Sequence, residues 1–145
     1  MGINNGRVYF GNYSDGPVSG VYGLDETDGT EGWFSSAATH IWDSSPTIKD
    51  GRIFIGVRYN RLVAIDENTT EELWHFSTPS LTWVYSTAAI HNQAVFFGAG
   101  RAGSGYFYAV DATDGSEIWK YPVTGEIYGS VAVANNLVFF TTTDE

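Results

Sequence analysis

The sequence contains no cysteine, which excludes a disulfide, a zinc-thiolate site and a thiol nucleophile. Basic side chains are scarce: 7 Lys and Arg stand against 17 Asp and Glu, for a formal charge of -10. That sign argues against a sequence-independent grip on nucleic-acid phosphates or anionic lipid and favours solubility and cationic partners. No apolar run approaches the roughly 18 residues that a membrane-spanning helix needs. The 3 histidines, His40, His75 and His91, fall at unrelated points, with neither Ser-His-Asp nor metal-ligand spacing.

What the chain does contain is repetition. Val8-Tyr9-Phe10-Gly11, Ile53-Phe54-Ile55-Gly56 and Val95-Phe96-Phe97-Gly98 recur at separations of 45 and 42 residues, and Val138-Phe139-Phe140-Thr141 follows 43 later. A second phrase keeps step: Gly23-Leu24-Asp25, Ala64-Ile65-Asp66 and Ala109-Val110-Asp111, each followed after eight residues by Trp33, Trp74 and Trp119. A third, Ser45-Pro46-Thr47-Ile48, Thr87-Ala88-Ala89-Ile90 and Ser130-Val131-Ala132-Val133, completes the unit. The runs are short, β-branched or aromatic, and bounded by turn formers at 5–6, 50–51, 92–93 and 135–136, so they read as strands in hairpins. A period of about 40 to 45 residues carrying such strands is the signature of a β-propeller, one four-stranded blade per repeat. With 43% hydrophobic residues and 17 glycines, the composition suits an apolar core with many tight turns.

The chain is therefore read as one all-β partial propeller over 1–145, with repeats at about 5–49, 50–91 and 92–134 and a fourth opening at 135–145. Four strands per repeat predict thirteen strands, three blades and one extra. Asp25, Asp66 and Asp111 each open a turn by accepting backbone N–H bonds, and Trp33, Trp74 and Trp119 are expected as plates between neighbouring blades.

Ala109-Val110-Asp111-Ala112-Thr113-Asp114-Gly115 with Trp119 resembles the pyrroloquinoline-quinone-like (PQQ-like) propeller repeat, Ala-x-Asp-x-x-Thr-Gly-x-x-x-Trp. The first copy departs at Gly23 and Asp28, the second at Thr70 and the third at Asp114. The resemblance implies a closed propeller of seven or eight blades, as in quinoprotein dehydrogenases, a bacterial outer-membrane assembly lipoprotein and many surface proteins. In the dehydrogenases the quinone sits on the axis between a tryptophan and a vicinal disulfide, beside calcium. With no cysteine pair and half a ring, no cofactor is expected of this chain.

No catalytic, cofactor-binding or metal-ligating residue is assigned. Gly98-Ala99-Gly100-Arg101-Ala102-Gly103 has the spacing of a dinucleotide loop, but the strand-like Tyr106-Phe107-Tyr108-Ala109-Val110 that follows makes it a hairpin loop. The turn aspartates lack the alternating Asp/Asn pattern of a calcium loop. Candidate interaction residues lie in the variable connections 12–20, 57–61 and 99–105: Tyr13, Asp15, Arg58, Tyr59, Arg61 and Arg101. The function expected is a non-catalytic, extracytoplasmic scaffold for protein or ligand interaction. Its open ends are expected to be covered by a second copy or by further blades of a longer chain. The alternatives are a piece of a quinoprotein dehydrogenase and the sensor portion of a membrane receptor or kinase.

Overall fold

The computed structural model describes residues 1–80 and 82–143, and these form strands and turns without a helix. The first antiparallel sheet contains β1 (Gly2–Asn4), β2 (Arg7–Asn12), β3 (Gly20–Asp25) and β4 (Glu31–Ser35). The second contains β5 (Thr47–Lys49), β6 (Arg52–Val57), β7 (Arg61–Asp66) and β8 (Glu72–Ser77). The third contains β9 (Ala89–His91), β10 (Ala94–Arg101), β11 (Ser104–Asp111) and β12 (Glu117–Thr124). A final hairpin pairs β13 (Ala132–Ala134) with β14 (Leu137–Phe139). Every sheet runs in simple up-and-down order, the propeller-blade arrangement.

The hairpin at the end corrects the strand count: the fourth unit has two described strands, where the sequence predicts one. The reason is local. Asn135 and Asn136 both take positive φ, 51° and 60°, and this turn geometry pairs Val133 with Val138. The same turn recurs at Asn5-Gly6, Asp50-Gly51 and Asn92-Gln93, so 47–49 and 89–91 open the next sheet instead of closing the preceding repeat.

The second turn of each blade is an Asx turn. The carboxylate oxygens of Asp25, Asp66 and Asp111 accept from the N–H of Thr27, Asn68 and Thr113 at 2.8, 2.7 and 2.6 Å. Hydrogen bonds from Thr69 and Asn68 hold the Asp66 carboxyl below its ordinary range. Gly29, Thr70 and Gly115 close these turns with φ of 73°, 65° and 76°. Only Thr70 carries a side chain in that left-handed conformation, so Thr70→Gly is expected to raise stability by up to about 1 kcal/mol, read from chemical unfolding midpoints.

Blades meet through apolar joints. Tyr9, Val21 and Trp33 of the first blade pack on Ile53, Ile55, Val63 and Ile65 of the second. Phe54, Leu62 and Ala64 pack on Val95, Phe97, Tyr108 and Val110 of the third. The repeat glycine before each blade's loop end makes this packing possible. A Cβ on Gly11, Gly56 or Gly98 would collide with Ile41, Val84 or Ile127, the aliphatic residue of the connection that crosses it. Gly98→Ala should cost about 1 to 3 kcal/mol, the scale for overpacking, measurable by urea denaturation.

Candidate functional site

Arg61 and Ser77 are paired, so the connection leaving β8 starts at the same end of the blade as the β6–β7 turn. The loop tips and the inter-blade connections therefore converge on one end of the array. In the connections the residue after each buried aliphatic is aromatic: Trp42 after Ile41, Tyr85 after Val84 and Tyr128 after Ile127, at a constant separation of 43. Their rings form a ladder from blade to blade. Trp42 and Tyr85 have centroids 6.3 Å apart, and Tyr85 and Tyr128 stack at 4.8 Å.

The preceding position holds His40, Trp83 and Glu126, whose carbonyls accept from the N–H of Arg58, Gly100 and Thr143. This repeated bond fixes the loop tips against the ladder. The Arg58 guanidinium consequently lies 4.5 Å from the Trp42 ring centroid and 4.8 Å from that of Trp83, while Arg101 lies 4.1 Å from Trp83. Each such contact is worth about 0.5 to 2 kcal/mol depending on desolvation. Among the described residues neither guanidinium has a carboxylate within salt-bridge reach, and Arg58 Nε is buried with no hydrogen-bond partner.

Five of the six sequence candidates meet here. Tyr13 stacks on Trp42 at 5.6 Å and its hydroxyl accepts from Arg58 Nη1 at 3.4 Å. Tyr59 packs edge-on against His40 at 4.8 Å, and Asp15 lies 3.6 Å from His40 Nε2. Arg101 stands at the end of β10, because the 99–105 segment is a tight two-residue turn flanked by continuing strands and not an open loop. Arg61 opens β7, and among the described residues its side chain makes no hydrogen bond, ion pair or cation–π contact with the cluster.

The sequence reading passed over Trp42, Trp83, Tyr85 and Tyr128. A signal was available: an aliphatic-aromatic pair repeating every 43 residues, in step with the blade. Tyr128 donates to Glu126, which is the first cause holding its pKa up at about 12, and burial raises that of Tyr108 to about 12. Both stay protonated above the ordinary 10.0. Their contribution to stability is therefore intact below about pH 10 and is lost as the pH climbs through about 12. A tyrosinate absorbance titration should show these two groups ionising near pH 12, with Tyr9 and Tyr85, which burial also raises, later than the ordinary 10.0.

Of the repeat tryptophans, Trp33 is 7% exposed and its Nε1 donates to the Glu67 carbonyl at 2.6 Å. Trp74 is half-buried and donates likewise to Ala112 at 3.3 Å. Trp119 departs from the expectation of an inter-blade plate, being 41% exposed. The acceptor used by the other two follows the turn aspartate of the next blade, and the described part of the fourth unit stops short of that turn. No group of three or more metal-ligating side chains is found among the described residues.

Blade order, repeat motif and inter-blade tryptophans together define a β-propeller array of PQQ-like repeats. A family model described as outer membrane protein assembly factor BamB matches residues 18–97 and 77–145, and the chain belongs to that family. It is 31% identical over 133 residues to quinohemoprotein alcohol dehydrogenase ADH-IIG of Pseudomonas putida, covering 79% of this chain and 18% of that protein. The solved structure of the same dehydrogenase superposes with a TM-score of 0.68 at 27% identity, over 85% of this chain and 20% of that one. BamB from Moraxella catarrhalis superposes with a TM-score of 0.76 at 16% identity, over 97% of this chain and 45% of that one, a likeness of fold. The chain thus spans less than a fifth of the length of the curated relatives it matches.

Proposed function

We propose that this chain is a non-catalytic propeller scaffold, extracytoplasmic in location, that binds an acidic polypeptide segment at the loop end. The observation that carries the reading is the stacking of Arg58 between Trp42 and Trp83 with Arg101 on Trp83. A guanidinium whose faces lie on aromatic rings keeps its N–H edge for a carboxylate, and aromatic and arginine side chains are the usual anchors of protein interfaces. The family's description, which names the outer membrane, supports the extracytoplasmic placement.

Short blocked peptides carrying a carboxylate beside an aromatic residue are expected to quench tryptophan fluorescence, less so at high salt. Arg58→Ala should weaken them roughly tenfold or more, the scale of one charged hydrogen bond. Equal binding of peptides without carboxylates would remove this reading.

The open ends of the array are part of the proposal. Ile53, Ile55, Val63 and Ile65 are fully buried at the first joint, yet their counterparts Val8, Phe10, Tyr22 and Leu24 in the first blade have no blade against them among the described residues, and Phe10 is 37% exposed. A second copy or further blades would cover this face. For a second copy, light scattering over a range of concentration should give twice the chain mass, and a constant single mass excludes it.

The 31% identity to a quinohemoprotein dehydrogenase favours one other reading, that further blades make the whole protein an oxidoreductase. The residues of this chain do not fit the quinone itself. It has no cysteine for a vicinal disulfide, and Arg58 already lies against the rings of both Trp42 and Trp83.

A further inference from the structure

The two complete inter-blade joints share a frame and differ in what fills it. In both, the residue after the turn aspartate, Glu67 or Ala112, takes the tryptophan N–H on its carbonyl and turns its side chain toward the preceding blade. At the first joint the Glu67 carboxylate accepts from Tyr9 OH at 2.8 Å and from Asn4 Nδ2 at 2.9 and 3.1 Å. Hairpin register sets the correspondence between joints: Asn4 pairs with Arg7 as Lys49 pairs with Arg52, and Tyr9 and Phe54 hold the same place in the repeat. At the second joint Ala112 replaces Glu67, Phe54 replaces Tyr9 and Lys49 replaces Asn4. The place that a carboxylate occupies at the first joint opens at the second into a cavity of about 260 Å³, lined by Lys49, Arg52, Phe54, Gln93 and Ala112 among others.

We propose that this cavity binds a carboxylate the size of a glutamate side chain. The first joint exhibits the ligand chemistry in place. At the second, Lys49 holds the repeat position of the amide donor Asn4 and lines the cavity, and Phe54 and Ala112 supply apolar wall for the methylenes. Arg52 Nη1 donates to the Ala112 carbonyl at 3.1 Å, which fixes a second cation at the wall. Asp50 also lines the cavity and Asp66 faces Arg52 across the β6–β7 pair, so recognition of an anion falls to the N–H donors of Lys49 and Arg52 and not to a net positive field. The cavity lies at the end of the blades away from the Arg58 cluster, so it stands independently of that site. The carboxylate has two possible sources, a small free acid or a glutamate of a bound polypeptide.

Propionate is the glutamate side chain as a free molecule, and thermal unfolding of the chain in propionate against chloride of equal ionic strength tests the site. A saturable rise in midpoint is expected with propionate. Lys49→Ala, at an exposed position that leaves packing intact, should weaken its apparent affinity roughly tenfold. Ala112→Glu should abolish the response, because its own carboxylate occupies the cavity. A blocked Gly-Glu-Gly peptide separates the sources: tighter than propionate, it points to a polypeptide partner, and weaker, to a free acid. No response beyond chloride in the parent chain, or the same response in Lys49→Ala, overturns the proposal, and the second arm stands even if Ala112→Glu fails to fold.

Discussion

Trp33→Ala is expected to lower the free energy of unfolding by about 3 to 5 kcal/mol, while Trp119→Ala, at the same place in the repeat, costs less than about 1. The difference comes from what each indole touches. Trp33 is nearly enclosed, meets Tyr9 edge-on at 5.3 Å and supplies the N–H bonded to the Glu67 carbonyl. Its removal empties a large site and strands a buried acceptor. Trp119 packs on Phe96 and Phe107 with much of its surface in water, and among the described residues its indole N–H makes no bond to a following blade's turn. Urea unfolding of both variants checks the ranking. Equal losses would show that the plate acts within its own sheet and not across the joint. A large loss at Trp119 that grows with protein concentration would reveal that association covers it.

The blades were legible because local and long-range signals agree. Each Val-Tyr-Phe-Gly-type run specifies a strand, each Asn- or Asp-led turn specifies its hairpin, and the period fixes which hairpins are neighbours. Asp25, Asp66 and Asp111 were legible for the same reason, since an Asx turn needs only the residue two places on. The joints were harder. Nothing local to Glu67 announces that its carboxylate meets Tyr9 and Asn4, which are 58 and 63 residues away in sequence. The loop-end cluster was half legible: Tyr13, Arg58 and Arg101 stand out by residue type in variable segments, whereas Trp42 and Trp83 lie in connections whose path depends on the glycine-aliphatic contacts beneath them.

Glu67→Ala should destabilise the chain by about 2 to 4 kcal/mol, and Glu67→Gln by about half as much. Glu67 is buried beside the first joint and is the acceptor for the hydroxyl of Tyr9, itself fully buried, and for the Asn4 amide. Alanine leaves both donors without a partner, and an unsatisfied buried donor costs about 1 to 3 kcal/mol. Part of that loss is offset, because the variant no longer desolvates a carboxylate. Glutamine keeps one oxygen as an acceptor for Tyr9 OH and for the longer Asn4 bond but puts an amide nitrogen, itself a donor, where the other oxygen met Asn4 Nδ2, so one of the three bonds is lost. Burial, and after it the Glu67 bond, raises the Tyr9 pKa, so relief of that shift in Glu67→Ala gives a second readout in the tyrosinate titration. A variant with unchanged unfolding midpoint and unchanged titration would mean that the first joint is held by its apolar contacts alone. A destabilised one makes the carboxylate a working part of the joint, and the unfilled space beside Lys49 the place where the repeat has given it up.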